Sequence, residues 1–328
     1  MCKRIDSARS IDIHTHILPK NMPKWSEKFG YGGFVSLDHH KNGCARMMID
    51  DVFFREIESN CWDGEVRIAE MDKYPCDVQV ISTVPVMFNY HIAGKDSYDI
   101  QRFLNDHIAQ TVSNHPARFV GIGSLPMQDA KLSVKELERC VKELGMPGIQ
   151  IGTNINDENL NEEKFFPIWE AAEKLNACIF VHPWNMMGQN SMKKYWLPWL
   201  VGMPAESSRA ICSLIFGGVF EKFPKLRFAF AHGGGSFPFT IGRVQHGYEV
   251  RPDLCAIDNA ISPEKYCGHF WVDSLVHSPD ALLYNMKLFG EDKIGKWVTE
   301  TSPETLETVI KPMVIENLME SDFNKLSS

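Results

Sequence analysis

Long apolar runs are missing from this sequence, and so are CxxC cysteine pairs, an excess of positive charge, internal repeats and low-complexity tracts. No run approaches the roughly 18–20 apolar residues of a membrane-crossing helix, and Met1 to Ser10 read as a polar lead-in without a signal-peptide hydrophobic region. The expectation is a cytosolic protein with no membrane contact. The nine cysteines are odd in number and irregularly spaced. Cys140, Cys178 and Cys212 sit in apolar periodic contexts, so they read as reduced core residues rather than a disulfide framework. A net charge of −8 argues against a general nucleic-acid surface. It leaves room for a small anionic substrate, because a few arginines in a cleft outweigh a diffuse charge.

The composition that is present, 44% hydrophobic and 23% charged over 328 residues, supplies a large core and fits either two average domains or one large α/β barrel. Short apolar runs alternate with amphipathic stretches. Residues 11–17, 77–82, 119–124, 148–152, 178–182, 226–232 and 270–273 read as strands, and 65–74, 97–114, 131–144, 163–175, 204–223 and 279–289 as helices. This rhythm predicts parallel strands joined by crossover helices, hence a (β/α)8 barrel of the TIM type formed as a single domain over residues 1–328. The stretch from Lys20 to Trp62 breaks the rhythm. Rich in glycine, histidine and aromatics, it reads as an insertion after the first strand, on the face where barrels keep their active sites.

Four histidines mark the ends of three of these runs. His14 and His16 are two residues apart, which on a strand puts both imidazoles on one face about 6–7 Å apart at the backbone. A divalent metal with bonds of about 2 Å can bridge such a pair. An isolated pair of this kind would more often bond to carbonyls, but His182 ends the run beginning at Cys178, and His232 ends the run beginning at Phe228. In a barrel all four face the mouth. Three neutral imidazoles with one open position form a catalytic zinc arrangement, so His14, His16 and His182 are the candidate ligands of Zn2+. His232 precedes Gly233-Gly234-Gly235, where backbone can approach a small molecule closely. It suits a general acid/base; a fourth ligand or a hydrogen-bonded structural histidine are the alternatives.

The blocks IDIHTHILPK, NCWD, STVPVMF, RFVGIGSLPMQ, GIQIGTN, FVHPW, YWLPWLVGMPAE, GGVFEKFPKLRFAFAHGGGSFPFTIGR, RPDLC and VDSLVH run in order along most of the chain. Together they closely resemble the aminocarboxymuconate-semialdehyde decarboxylase family of the amidohydrolase superfamily. The resemblance implies a cytosolic, zinc-dependent, oxygen-independent decarboxylase of tryptophan–kynurenine catabolism. It would convert 2-amino-3-carboxymuconate semialdehyde to 2-aminomuconate semialdehyde and so limit quinolinate formation. It further implies His14, His16 and His182 as metal ligands and His232 as the catalytic acid/base. Arg55 matches an arginine that binds a substrate carboxylate, and Arg243 a second one, lent across a homodimer interface. Taken alone, both would more often be surface arginines, but a dicarboxylate substrate needs planar bidentate partners. Trp184 is expected to wall the pocket, an ordinary packing role being the alternative.

The chain departs from this family near its end. An eighth-strand segment of the GTDYPFPLGE type, whose Asp completes the metal site, is not recognisable. Glu291-Asp292-Lys293-Ile294 is followed at once by Gly295-Lys296-Trp297-Val298-Thr299-Glu300. Either Thr299-Glu300 stands in for the Thr-Asp pair, or the eighth strand is absent. The second alignment is favoured because none of the PFPLGE residues reappears. Its loss would leave unpaired edges and remove a carboxylate from the site. Asp273 ends the seventh strand and is expected to cap a helix or to bond behind the ligands. Two rival readings follow: a related amidohydrolase that cleaves a C–N or C–C bond, and a catalytically impaired chain that serves as a dimer partner by lending Arg243.

Overall fold

The computed structural model describes residues 10–74 and 76–295. Strand β1, Ile11–Ile17, follows the alternating apolar pattern and pairs in parallel with β5, Val78–Thr83, after a register shift between Asp12 and Thr15. The bulge matters. Strict alternation would send Ile13 and His14 to opposite faces. Instead Ile13 packs with Val80, Ile122 and Phe180, while the His14 ring lies 5.2 Å from Phe180. The Asp12 carboxylate accepts a hydrogen bond from the His14 N–H at 3.1 Å and holds this local geometry.

The insertion between β1 and β5 is more regular than its composition suggests. It carries helix α1 (Trp25–Phe29) and an antiparallel meander of β2 (Val35–Lys41), β3 (Cys44–Ile49) and β4 (Val52–Glu58). Trp25, Phe34, Val35, Ala45, Met47, Ile57 and Trp62 form a small core that continues into Leu18, Val86, Met87 and Ile92, residues that follow barrel strands. Helix α2 (Gly64–Met71) then begins at Asp63, whose side chain caps the N–H groups of Glu65 and Val66.

Beyond β5 the expected alternation holds. Helix α3 (Gly94–Asn114) leads to one strand interrupted at Ile122, its parts being β6 (Phe119–Gly121), paired with β5, and β7 (Gly123–Ser124), paired with β8 (Gly148–Gly152). Helix α4 (Ala130–Lys142) is capped by Asp129. A short hairpin, β9 (Asn154–Ile155) and β10 (Glu158–Asn159), precedes α5 (Phe166–Lys174) and β11 (Cys178–His182). A π-helical turn at Pro198–Gly202 runs directly into α6 (Met203–Phe216), followed by α7 (Val219–Lys222) and β12 (Arg227–Phe230). Helices α8 (Phe237–Val250) and α9 (Pro252–Cys255), strand β13 (Trp271–Val272) and α10 (Pro279–Phe289) complete the series. Helix α8 is absent from the sequence reading, which passes over residues 237–250.

The parallel strands lie in the order β1, β5, β6/β7, β8, β11, β12, β13. Ile13, Val80 and Ile122 come from one end of this order and Phe180 and Ala229 from β11 and β12 towards the other, yet all share one interior cluster, so the sheet curls around them in the manner of a barrel. The chain enters the eighth strand position at Ile294, which bridges in parallel to Val272, and the Gly295 N–H donates to the Val272 carbonyl at 2.9 Å. Lys296 onward, with Thr299 and Glu300, lies outside the described residues. The main core packs Trp169, Phe165, Phe228, Phe230, Phe237 and Phe270 between the sheet and its outer helices. Trp184 alone among the described residues packs against both this core and that of the insertion. The eight described cysteines are free thiols, as expected of reduced core residues. No described helix is long and apolar enough to cross a membrane.

Strand spacing leaves no room at Gly148, where an added Cβ would lie 2.3 Å from the Cys178 carbonyl oxygen of the neighbouring strand. Gly148→Ala should therefore destabilise the chain by about 1–3 kcal/mol or more in urea denaturation. Gly242→Ala, inside α8 with nothing within 4 Å, should be neutral or stabilising by up to about 1 kcal/mol. Equal midpoints for wild type and Gly148→Ala would contradict this packing.

Candidate metal centre and active site

All four predicted histidines converge. His14 lies centrally, its ring centroid 5.3 Å from His16, 5.0 Å from His182 and 5.0 Å from His232. His182 is equally central, 5.0 Å from His16 and 5.1 Å from His232. Two overlapping triads result, one with His16 and one with His232. Donor atoms of His14, His182 and His232 all lie within 4.8 Å of one another. The ring centroids of His14, His16 and His182 lie 5.0 to 5.3 Å apart, slightly wider than the 5.0 to 5.1 Å of that second triad.

Each of three rings commits its Nδ1. His14 Nδ1 meets Asp273 Oδ2 at 2.7 Å, His182 Nδ1 meets the Pro183 carbonyl at 3.0 Å, and His16 Nδ1 meets Ser82 Oγ at 3.0 Å. A carboxylate and a carbonyl only accept, so His14 and His182 carry their proton on Nδ1. The Ser82 hydroxyl proton faces Gln150 Oε1 at 2.7 Å and the Thr15 carbonyl at 3.0 Å, both acceptors, so Ser82 must accept from His16 as well. Gln150 is oriented by its own Nε2–H bond to the Thr83 carbonyl. In the neutral form each of the three rings therefore presents Nε2 as its free lone pair, the donor set that a divalent cation requires. Burial, then the neighbouring imidazoles, push the His16 and His182 pKa values well below the ordinary range and keep both rings neutral.

His232 departs from the sequence reading in one respect. Strand β12 stops at Phe230, so His232 sits beyond the strand in a tight turn, with φ of +56°. Such a conformation is costly for a residue with a Cβ and needs support from its surroundings. Asp273 supplies it: Oδ2 accepts from the His232 N–H at 2.9 Å and Oδ1 from the Gly233 N–H at 2.8 Å. Gly233 itself has φ of +61°, and a Cβ there would meet Val276 Cγ1 at 2.3 Å. His232 Nδ1 is buried and has no hydrogen-bond partner. Burial and the His14 ring draw its pKa down to about 4, so the ring is a neutral base.

Asp273 is wholly buried and accepts a fourth bond from the Leu275 N–H. Burial alone would raise its pKa, but the His14 hydrogen bond, the nearby imidazoles and the Gly233 N–H together lower it, so it stays a carboxylate. Of its two expected roles, bonding behind a candidate ligand is realised at His14, whereas in place of a helix cap the carboxylate holds the turn at His232 and Gly233.

The three remaining site candidates are not part of this cluster. Trp184 is half-buried two residues beyond His182, at the seam between the two cores. Arg55 is exposed on β4, and Arg243 is exposed on α8 one turn after the exposed Phe239. Neither arginine contacts an imidazole among the described residues. A carboxylate that sequence reasoning passed over is Glu206, buried in the first turn of α6 and bonded to Thr153, Asn154 and Met187.

Comparison with known proteins places this geometry. The amidohydrolase family profile matches residues 11–294. The chain is 57% identical over 310 residues to a 2-amino-3-carboxymuconate-6-semialdehyde decarboxylase of Dictyostelium discoideum, covering 94% of this chain and 86% of that protein. It is 40% identical to the Caenorhabditis elegans protein of the same name, covering 88% and 84%. Among solved structures, a dihydroxybenzoic acid decarboxylase from Polaromonas, crystallised with manganese and 2-nitroresorcinol, superposes with a TM-score of 0.71 at 22% identity, over 88% of this chain and 85% of that one. The chain belongs to the amidohydrolase family, in the branch of the 2-amino-3-carboxymuconate-6-semialdehyde decarboxylases.

Proposed function

We propose that this chain catalyses the non-oxidative decarboxylation of 2-amino-3-carboxymuconate semialdehyde to 2-aminomuconate semialdehyde, with a divalent metal, zinc by the character of its nitrogen ligands, held by His14, His16 and His182. The observation that carries the reading is the convergence of three imidazoles, His182 buried and His14 and His16 partly so, whose Nδ1 atoms are all engaged elsewhere, on a chain 57% identical to a relative named for that activity. The manganese of the Polaromonas structure is compatible with a divalent ion at such a site. When bound, the ion would acidify water and polarise the substrate.

The residues of the chain then divide the work. His232, neutral and with Nδ1 unpaired, takes a proton from solvent and delivers it to the carbon whose bond to CO2 breaks, the electron pair of that bond accepting it. Asp273 fixes both the His14 tautomer and the His232 turn. Arg55 and Arg243 each grip a substrate carboxylate in a planar fork, Arg243 reaching from the neighbouring subunit of a homodimer. Its exposure on α8 fits that placement. Trp184 walls the pocket on the His182 side. A second reading, an impaired subunit that lends Arg243 to an intact partner, is favoured by one observation: no GTDYPFPLGE-type segment follows Ile294.

Elemental analysis of His14→Ala, His16→Ala and His182→Ala should show loss of about one metal per subunit, while His232→Ala keeps it. Retention by His16→Ala together with loss in His232→Ala would transfer the ligand role to the second triad. Because His16, His182 and His232 all have lowered pKa values, the unfolded chain binds more protons than the folded one below its ordinary histidine pKa of about 6.5. Metal retention and thermal stability should both be complete above that pH and fall as it drops toward about 4; a flat profile would refute the neutral cluster.

His232→Ala should also slow decarboxylation by about 10²–10⁴-fold in an active form of the chain, read from decay of the semialdehyde absorbance. The chain as it stands should turn over slowly and melt early. Inserting a GTDYPFPLGE-type segment after Ile294 should restore both properties. Full activity without the insertion, abolished by Glu300→Gln, would instead show that Glu300 supplies the missing carboxylate.

A further inference from the structure

Outside the imidazole cluster the most completely engaged carboxylate near the mouth is Glu206. It is fully buried, and the proposed chemistry makes no use of it. Its Oε2 accepts from Thr153 Oγ1 at 3.1 Å and Asn154 Nδ2 at 3.0 Å and faces Arg209 Nη2 at 3.3 Å, while Oε1 accepts the Met187 N–H at 2.8 Å. Those donors come from three separate segments: the end of β8 with β9, helix α6, and the loop that follows His182. Asn154 Nδ2 also reaches the carbonyls of Trp184 and Asn185, both at 3.3 Å. That loop includes Asn185 at φ of +57°, and Met186 beneath it presses on Gly202, where a Cβ would come within 2.7 Å of the Met186 Cβ.

We propose that Glu206 is a positioning residue that sets where Trp184, two residues beyond His182, stands between the two cores. Residues 184–187 hang from helix α6 through its carboxylate, and Trp184 in turn ties the insertion to the barrel because it packs on both cores. The functional part of this inference rests on the reading of Trp184 as a pocket wall. A buried carboxylate with donors on both oxygens is matched to this role, because a neutral amide cannot replace it. In Glu206→Gln the carbonyl oxygen can face the Thr153, Asn154 and Arg209 side or the Met187 side, but the NH2 then confronts a donor on the other. Keeping the larger group costs only one bond, so the amide releases Met187 and frees the loop.

Amide hydrogen exchange of the full chain, read by mass spectrometry, tests this directly. In Glu206→Gln, exchange at residues 185–188 should quicken about tenfold, the protection of roughly one hydrogen bond, while residues 11–17 and 178–182 keep their wild-type rates. Asn154→Ala should loosen the same loop and serves if the glutamine variant folds poorly. Glu136→Gln is the control. It alters another wholly buried carboxylate, bonded to Asn105 and Arg139, and should leave residues 185–188 at their wild-type rate. Unchanged exchange at 185–188, or equal acceleration of every segment, would overturn the tether. In an active form of the chain, Glu206→Gln should raise KM severalfold with little change in kcat. If Trp184→Ala leaves KM unaltered while the exchange result holds, the pocket-wall reading fails and the tether stands.

Discussion

Packing four imidazoles around one point is unfavourable unless something dictates where their protons go, and the hydrogen bond between Asp273 and His14 does most of that dictating. The bond spans the first and seventh strands, which no backbone ladder joins among the described residues. Through its remaining acceptor positions the same carboxylate holds His232 in a left-handed conformation that the residue would otherwise avoid. Two features of the proposed site, the tautomer of a candidate ligand and the aim of a candidate base, are therefore coupled to one side chain. The local charges favour a cation as well: the buried Asp273 carboxylate stands behind His14, and burial keeps the His16 and His182 rings neutral, so a divalent cation would enter a site that is already electrostatically receptive.

Much of this was legible because it depends on short-range patterns. The apolar runs at Ile11–Ile17, Gly148–Gly152 and Cys178–His182 form strands within those limits, and histidines at strand ends necessarily collect at a barrel mouth. What escaped reading is long-range or irregular. The Nδ1 partners of His14 and His16 lie 259 and 66 residues away in sequence, and no spacing rule points to them. Helix α8 was missed because Gly242 and Gly247 dilute its helical character and its buried side is limited to Phe237, Pro238 and Ile241. The meander β2–β4 has exposed positions on both faces, so it shows little of the period that marks a half-buried strand. His232 reads as the end of a strand because its apolar run is continuous to Ala231, whereas the three glycines that follow begin turning the chain at that histidine.

The resemblance supplied roles that geometry alone does not. Nothing in the positions of Arg55 and Arg243 distinguishes them from other exposed arginines, and their assignment rests on matched sequence blocks and on the substrate's two carboxylates. The reverse holds for Asp273 and Glu206. Their partners define their work, and each is invisible in a linear reading because the donors come from distant segments.

The π-helical turn at Pro198–Gly202 gives the loop after β11 two different kinds of residue. Residues between Met187 and Tyr195 lie mostly exposed, with one 3-10 turn at Gln189–Ser191, and the barrel does not measure their length. Those between Pro198 and Glu206 act as a phase setter, since each residue added or removed there would rotate α6 by about 100°. Such a rotation would swing Glu206 away from Met187 and withdraw the Pro204 carbonyl from the Ser236 N–H, the contact that steadies the turn after His232. Variation in length among related chains should therefore be confined to the first stretch, with the second held constant to the residue.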